Sequence, residues 1–331
     1  MALNKKVAVA AFDRQTTFGT LAANRKFGFG LRGGTLIDVG MVQNYEELTL
    51  AHRAPPSAYR ESFTHVLDFT TRAWPKTVAM LLEGALGARA TTGASDPFLH
   101  TLTYAQNPNY YTFATRLDTE YHKIRDCRID QLSFTWEQAA PVEMGVRAMG
   151  TVGTLYTTAG DPTTDESSDQ SFYPAGGVFQ IDTSSSTPVT ADITGGTITI
   201  NNHIEPVRVS RQLEPTDVWP GLFEITVSLK LIPTNTNLWR AAVTGTSGGT
   251  AIANAPVYGS FHTLFTITAG TRDLDLTAPR IAFYGDYPDP DPAGGPVEIE
   301  LTGTVVKPSG ATEPFTALVH NDQNSASYTG S

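Results

Sequence analysis

The sequence predicts a mainly β protein built from two tandem copies of one domain, each with one flanking helix. Three observations carry this. Glycine (29) and proline (21) are frequent among the 331 residues, and Thr and Ser are abundant. Apolar and polar residues alternate with the period of half-buried strands in several places. The chain also repeats itself. Setting Asn44 of "NYEELTLAHRAPP" on Asn202 of "NNHIEPVRVSRQLEP" brings Glu47 onto Glu205 and Arg53 onto Arg211 without a gap.

Taken in order, residues 1–40 lie outside the repeating part and read as an N-terminal arm. The first copy spans 41–156. After its opening stretch comes the strand "FTHVLDF", then a helix. Pro75 suits a first helical position, Val78, Leu81, Leu82, Ala85 and Leu86 form one apolar stripe, and Gly87 stops it. A strand "YYTFATR" and a hairpin follow. In "CRIDQLSFTWE" the apolar phase slips between Ile129 and Leu132, as a bulge would make it do. The return strand alternates at Val142, Met144 and Val146. Residues 157–196 are turn-rich or Ser/Thr-rich and read as a linker.

The second copy spans 197–310. Its clearest strand is 223–231, "FEITVSLKL", with Phe223, Ile225, Val227, Leu229 and Leu231 on one side. A short helix is expected over 235–245, capped by Asn235 or Thr236 and stopped by Gly245. Arg280-Ile281 leads a hairpin as Arg128-Ile129 does. Pro296-Val297-Glu298 opens the return strand as Pro141-Val142-Glu143 does, and Val297, Ile299 and Leu301 alternate along it. Residues 311–331 read as a C-terminal arm. An internal repeat of half the chain means two copies of one structural unit.

Composition narrows the function. The net charge of −10 and the absence of a basic cluster argue against a protein that holds DNA or RNA. No apolar run is long enough for a membrane span, and the N-terminus lacks a secretory h-region, so synthesis and folding in a cytoplasm are expected. Cys127 is the sole cysteine and forms no intrachain disulfide; a buried position suits it.

The search for chemistry is unproductive. His52, His65, His100, His122, His203, His262 and His320 show no metal-ligand spacing. Ser247 in "GTSGG" follows a helix, whereas a nucleophile elbow sits between strand and helix. Asp286, Asp289 and Asp291 lie in a proline-stiffened hairpin loop that lacks the glutamate and turn glycine of an EF-hand. Asp161, Asp165, Glu166 and Asp169 belong to a solvated linker. No catalytic, cofactor-binding or metal-binding residue is assigned, no cofactor is expected, and the chain reads as a building block or binding module more than as an enzyme.

Several stretches together resemble the phage tail tube proteins. "TTRAWPKTVAMLLEGALGARATT" with "DPFLHTLTYAQNPNYYTFATRLD" is similar to the family's N-terminal half. "YHKIRDCRIDQLSFTWEQAAPVEMGVRAMG" and "LTAPRIAFYGDYP" with "GGPVEIELTG" are similar to its hairpins, and "NNHIEP" to its Asn-Asn-x-x-Glu-Pro element. The resemblance covers roughly residues 40–310 and rests on the order of short motifs. It implies β-sandwich or half-barrel domains whose sheets join into the continuous inner β-barrel of a ring. Rings stack into the hollow tail tube of a virion, through which DNA passes without specific binding. The implied partners are further copies of the chain and the tape measure, tail terminator and tail-tip proteins. Family rings commonly present six tube domains, so two copies per chain imply homotrimer rings with pseudo-sixfold symmetry. Glu143, Glu298 and Glu300, on the return strands, are the first candidates for the lumen. Two other readings stay open: a carbohydrate-binding or adhesin module using Trp219 and Tyr287 as platforms, and a glycosidase with paired carboxylates.

Overall fold

The computed structural model describes residues 8–22, 27–38, 40–45, 57–118, 120–156, 170–181, 189–210, 212–233, 237–267, 271–284, 298–310 and 313–329. The first half contributes β1 (Ala8–Arg14), β2 (Phe27–Gly30), β3 (Gly33–Asp38), β4 (Val42–Tyr45), β5 (Ala58–Ser62), β6 (His65–Arg72), α1 (Pro75–Leu86), β7 (Gly87–Thr92), β8 (Phe98–Tyr104), β9 (Tyr111–Leu117), β10 (Glu120–Trp136), β11 (Glu143–Gly150) and β12 (Val152–Tyr156). The second contributes β13 (Tyr173–Ile181), β14 (Val189–Asn201), β15 (Glu205–Val207), β16 (Asp217–Trp219), β17 (Glu224–Ile232), α2 (Asn237–Thr244), β18 (Tyr258–Thr266), β19 (Asp273–Tyr284), β20 (Ile299–Val305) and β21 (Thr316–Asn321), and a 3-10 turn at Ser325–Tyr328. The fold is mainly β, as the sequence predicts, and every strand pairing among the described residues is antiparallel.

The two halves are wired alike. In the first, β6 pairs with β11, β11 with the C-terminal part of β10, and the N-terminal part of β10 with β9 and β12. In the second, β17 pairs with β20, β20 with the C-terminal part of β19, and the N-terminal part of β19 with β18 and β21. Outer partners correspond too: β3 lies on β6 as β14 lies on β17, and β1 on β9 as β13 on β18. The small hairpins β4–β5 and β15–β16 fall at the same place in each order. The second half closes into a six-stranded barrel because β13 and β14 also pair. In the first half β2 follows β1 and takes its edge.

Local sequence explains the elements. In β17 Ile225, Val227, Leu229 and Leu231 are buried and the residues between them are not, the period-two pattern of a sheet covered on one face. The expected slip in β10 is a register shift between Ile129 and Gln131. α1 starts with Pro75 in its first turn and ends at Gly87, whose φ of 105° is a left-handed cap with its N–H on Glu83 O. α2 ends at Gly245, φ 77°, whose N–H reaches Ala241 O. Asn235 and Thr236, its expected caps, lie outside the described residues.

The segments read as arms and linker differ from that reading. Residues 8–38 supply β1 to β3, with Ala10, Ala11 and Phe12 fully buried. Residues 173–181 and 189–201 supply β13 and β14. β21 lies between β19 and β8, and Tyr328 beyond it is buried, stacked on Phe27 at 5.2 Å and under the Arg89 guanidinium. Edge pairing to strands distant in sequence, not local periodicity, makes these segments strands. Most of the apolar side chains of both halves form one core cluster.

Candidate functional surface

The strands β3–β6–β11–β10–β14–β17–β20–β19 form one unbroken run of eight, because β10 pairs with β14 across the two halves. One face of this sheet is core: Phe69, Val146, Phe134, Ile198, Leu229 and Leu301. The register fixes what lies on the other. A central row reads Gly33, Thr70, Gly145, Ser133, Thr199, Thr226, Thr304 and Ala282, with no charge in it. The rows beside it carry charges of both signs. Arg32 is paired with Glu143, Arg147 Nε lies 3.2 Å from Asp130, and Lys230 Nζ lies 3.8 Å from Glu137. Ser228 Oγ donates to Glu300 at 2.6 Å. Apart from Arg72, which stands opposite Glu143, the cations named on this face are paired, so little free positive charge is left to grip a polyanion.

Two glycine pairs build this sheet. Gly33-Gly34-Thr35 and Gly195-Gly196-Thr197 sit at corresponding places on β3 and β14. A Cβ on Gly34 would stand 2.3 Å from Asp68 O, and one on Gly196 2.5 Å from Ser228 O. Both positions need the missing side chain so that the backbones can meet. Sequence reasoning missed this motif because paired glycines read as loop; the repeated Gly-Gly-Thr was the available signal.

The boundary between the halves is also clasped by residues 202–222. Asn202 is buried, and its amide donates to Ala85 O at the end of α1 and to Ile129 O. This is the physical role of the second asparagine in the Asn-Asn-x-x-Glu-Pro element. Phe63 N–H donates to Leu213 O at 2.8 Å, and Arg208 Nη2 donates to Phe63 O at 2.7 Å. On β16, Val218 O accepts from Arg128 Nη1 at 2.9 Å, and Asp217 accepts from the Tyr110 hydroxyl at 2.8 Å. The Arg128 guanidinium lies over the Tyr110 ring at 4.2 Å and near Trp219 at 5.9 Å. Burial, then the bond to Asp217, push the Tyr110 hydroxyl up to about 12, so it stays a donor at neutral pH.

The other residues singled out from sequence do not come together. Among the described residues no three His, Cys, Asp or Glu side chains are grouped to hold a metal ion. Ser247 is exposed in the turn after α2. Cys127 is buried, and desolvation raises its thiol well above the ordinary value. Glu143, Glu298 and Glu300 are exposed, and Trp219 is half exposed. His52, Tyr287, the three aspartates at 286–291 and the acidic cluster at 161–169 lie outside the described residues. No helix among the described residues is long and apolar enough to cross a membrane.

The class this fold defines is a mainly β protein of repeated wiring, whose two halves share one polar-faced sheet. Comparison with known families gives the particular one: residues 6–317 match the model of the phage tail tube protein family, and the chain belongs to that family. It is a structural protein of the phage tail, with its place in the virion. The search of curated proteins found no match.

Proposed function

We propose that this chain is the major tail tube subunit, and that three chains close one ring with pseudo-sixfold symmetry. The reading rests on one observation above all. Inside the chain, the C-terminal part of β10 pairs with β14 and joins the two halves. β3 corresponds to β14, and its outer edge has no partner among the described residues. The end of β19 corresponds to the end of β10, and Phe283 and Tyr284 pair with β20 alone. The end of β19 in one chain therefore pairs with β3 in the next, repeating between chains the joint already made within one. Such head-to-tail contacts close into a ring when the rotation fits, and a ring leaves no open edge. Tethering two copies in one chain raises the effective concentration of the second beside the first.

The dimensions suit a conduit. Three chains give about 24 strands, which at ~4.8 Å spacing make a cylinder ~37 Å across at the backbone and, less ~5 Å of side chain per wall, a bore of ~27 Å. The uncharged hydroxyl row and the paired charges line that bore, and genomic DNA slides through it during ejection. Stacked rings form the tube, which meets the tape measure, terminator and tip proteins at its ends. A cryo-EM reconstruction of self-assembled tubes tests the stoichiometry: three chains per ring are expected, and six would overturn it. Assembled tubes are also expected to release duplex DNA at physiological salt; salt-sensitive retention would remove the lumen assignment.

A further inference from the structure

The residue pair clasped in the first half recurs unclasped in the second. Arg280 Cζ lies over the Tyr258 ring at 3.9 Å, as Arg128 lies over Tyr110. Arg280 and Arg128 hold corresponding positions on β19 and β10, where these strands exchange β21 for β20 and β12 for β11. The Arg128 pair is capped by Asp217, Val218 and Trp219 of β16. Neither the Arg280 nor the Tyr258 side chain has a hydrogen-bond partner among the described residues.

A groove lies between the second half and β8 of the first. Its volume is about 460 Å³, and its walls include Tyr104, Leu222, Phe223, Val305 and Lys307. Leu222 is 76% exposed there. The first half has a corresponding groove, with Phe63 in the place of Phe223 and Val152 beyond the return strand. That one already holds a segment of the other half, Gln212–Thr216, as a wall. Both grooves thus take walls from both halves, but the first includes the clasping segment and the second includes no residue of β4 or β5.

The hairpin β4–β5 holds the place in the element order that the clasping hairpin β15–β16 holds, with its own register: Tyr59 pairs with Asn44, and Trp219 with Glu205. Counting back from the matched pair Phe63 and Phe223, Ser57-Ala58-Tyr59 stands where Asp217-Val218-Trp219 stands. Tyr59 and Trp219 are both aromatic and exposed alike, at 51% and 53%. Met41 and Val42 on the same hairpin are also exposed apolar residues. We propose that the β4–β5 hairpin of a second copy of this chain clasps the second half, with Tyr59 beside the Arg280–Tyr258 pair and the backbone at Ala58 accepting from Arg280. The proposal rests on the two-copy ring reading. It adds a latch distinct from the strand pairing of the inner sheet, on the side of the chain that carries the small hairpins. Each chain is then held to its neighbour by the contact that holds its own halves together.

The test is a thiol cross-link in assembled tubes. The double variant Tyr59→Cys/Tyr258→Cys is treated with a short bismaleimide and run on a denaturing gel; Cys127 is buried and contributes little background. The expected result is a ladder of covalent dimers and trimers that ends at three chains, with neither single variant giving a ladder. Tubes verified by microscopy that give no intermolecular band overturn the latch and leave the ring reading standing. A ladder that runs to six keeps the latch and overturns the three-chain ring. If the double variant does not assemble, a 1:1 mixture of the two single variants replaces it: a dimer band only in the mixture supports the latch, and none overturns it. The in-chain counterpart, Tyr110→Cys/Trp219→Cys, cross-links within one chain without adding mass and shows that the spacing is within reach.

Discussion

α1 and α2 follow corresponding strands, β6 and β17, yet they live in different surroundings. All but one residue of α1 is buried. Of α2, only Leu238 and Ala241 are. The difference lies in what was added around them. β7, β8, β21 and the turn at Ser325–Tyr328 wrap the first half, and residues 202–222 clasp it. The second half closes its own barrel and leaves its Arg–Tyr pair uncapped. The same wiring therefore yields an interior unit and a border unit, and covering elements, more than the shared strands, decide which is which.

The largest test of this contrast is Tyr328→Ala. Tyr328 is fully buried, its hydroxyl donates to Lys76 O and accepts from the Asn321 amide, and its ring packs on Phe27 and meets His100 at 4.9 Å. The variant is expected to lose about 3–5 kcal/mol of stability in denaturant unfolding. Retention of full stability would mean that the C-terminal segment is an arm after all, as the sequence suggested.

A paired substitution sharpens the comparison. Arg128→Ala removes a charged donor from Val218 O and a cation from the Tyr110 ring, at a cost of about 1.5–3 kcal/mol. Arg280→Ala removes the corresponding cation with no capped bond and is expected to cost less than about 1 kcal/mol in unassembled protein. Equal losses, measured by urea unfolding of monomeric chains, would break the claimed asymmetry.

The smallest effect is a pH dependence confined to the covered half. His100 is buried, with Nδ1 2.9 Å from Thr91 Oγ1 and Nε2 2.9 Å from Asn321 Oδ1. Asn321 Oδ1 is an acceptor, so Nε2 carries the proton of a neutral ring. Burial lowers its pKa below the ordinary 6.5, against the opposing Asn321 bond. The unfolded chain takes up this proton near pH 6.5 and the folded chain only at lower pH. The stabilisation is full above 6.5 and is lost as the pH falls through the folded value. Melting temperatures of the wild type are expected to drop between pH 7.5 and 5, with a shallower slope in His100→Gln.

Much of the fold was legible where a local pattern had a local cause. The alternation in β17 and β11, the Pro75-to-Gly87 frame of α1 and the slip in β10 each followed from residues within one element. β1, β13 and β21 were not legible. β1 is rich in alanine, whose small side chain gives weak alternation, and β21 owes its place to β8 and β19, far off in sequence. Gly-Gly-Thr on β3 and β14 looked like loop because the close approach that demands glycine comes from a different strand. The surface was legible only in part: Glu143 and Glu300 were named, but the uncharged row between them needed the register of eight strands.

β21 carries one more consequence. Its partner Thr103 on β8 is made long before Thr316. At ~5–20 residues per second the gap lasts ~10–40 s. Through that interval β8 has an unpaired edge, and the N-terminal turn of α1 lacks the Asn321 amide that bonds Pro75 O. A nascent chain therefore cannot finish its first half until β21 has emerged, after the strands of the second-half barrel. The half that is begun first is completed last, so the order of synthesis and the order of completion run opposite ways.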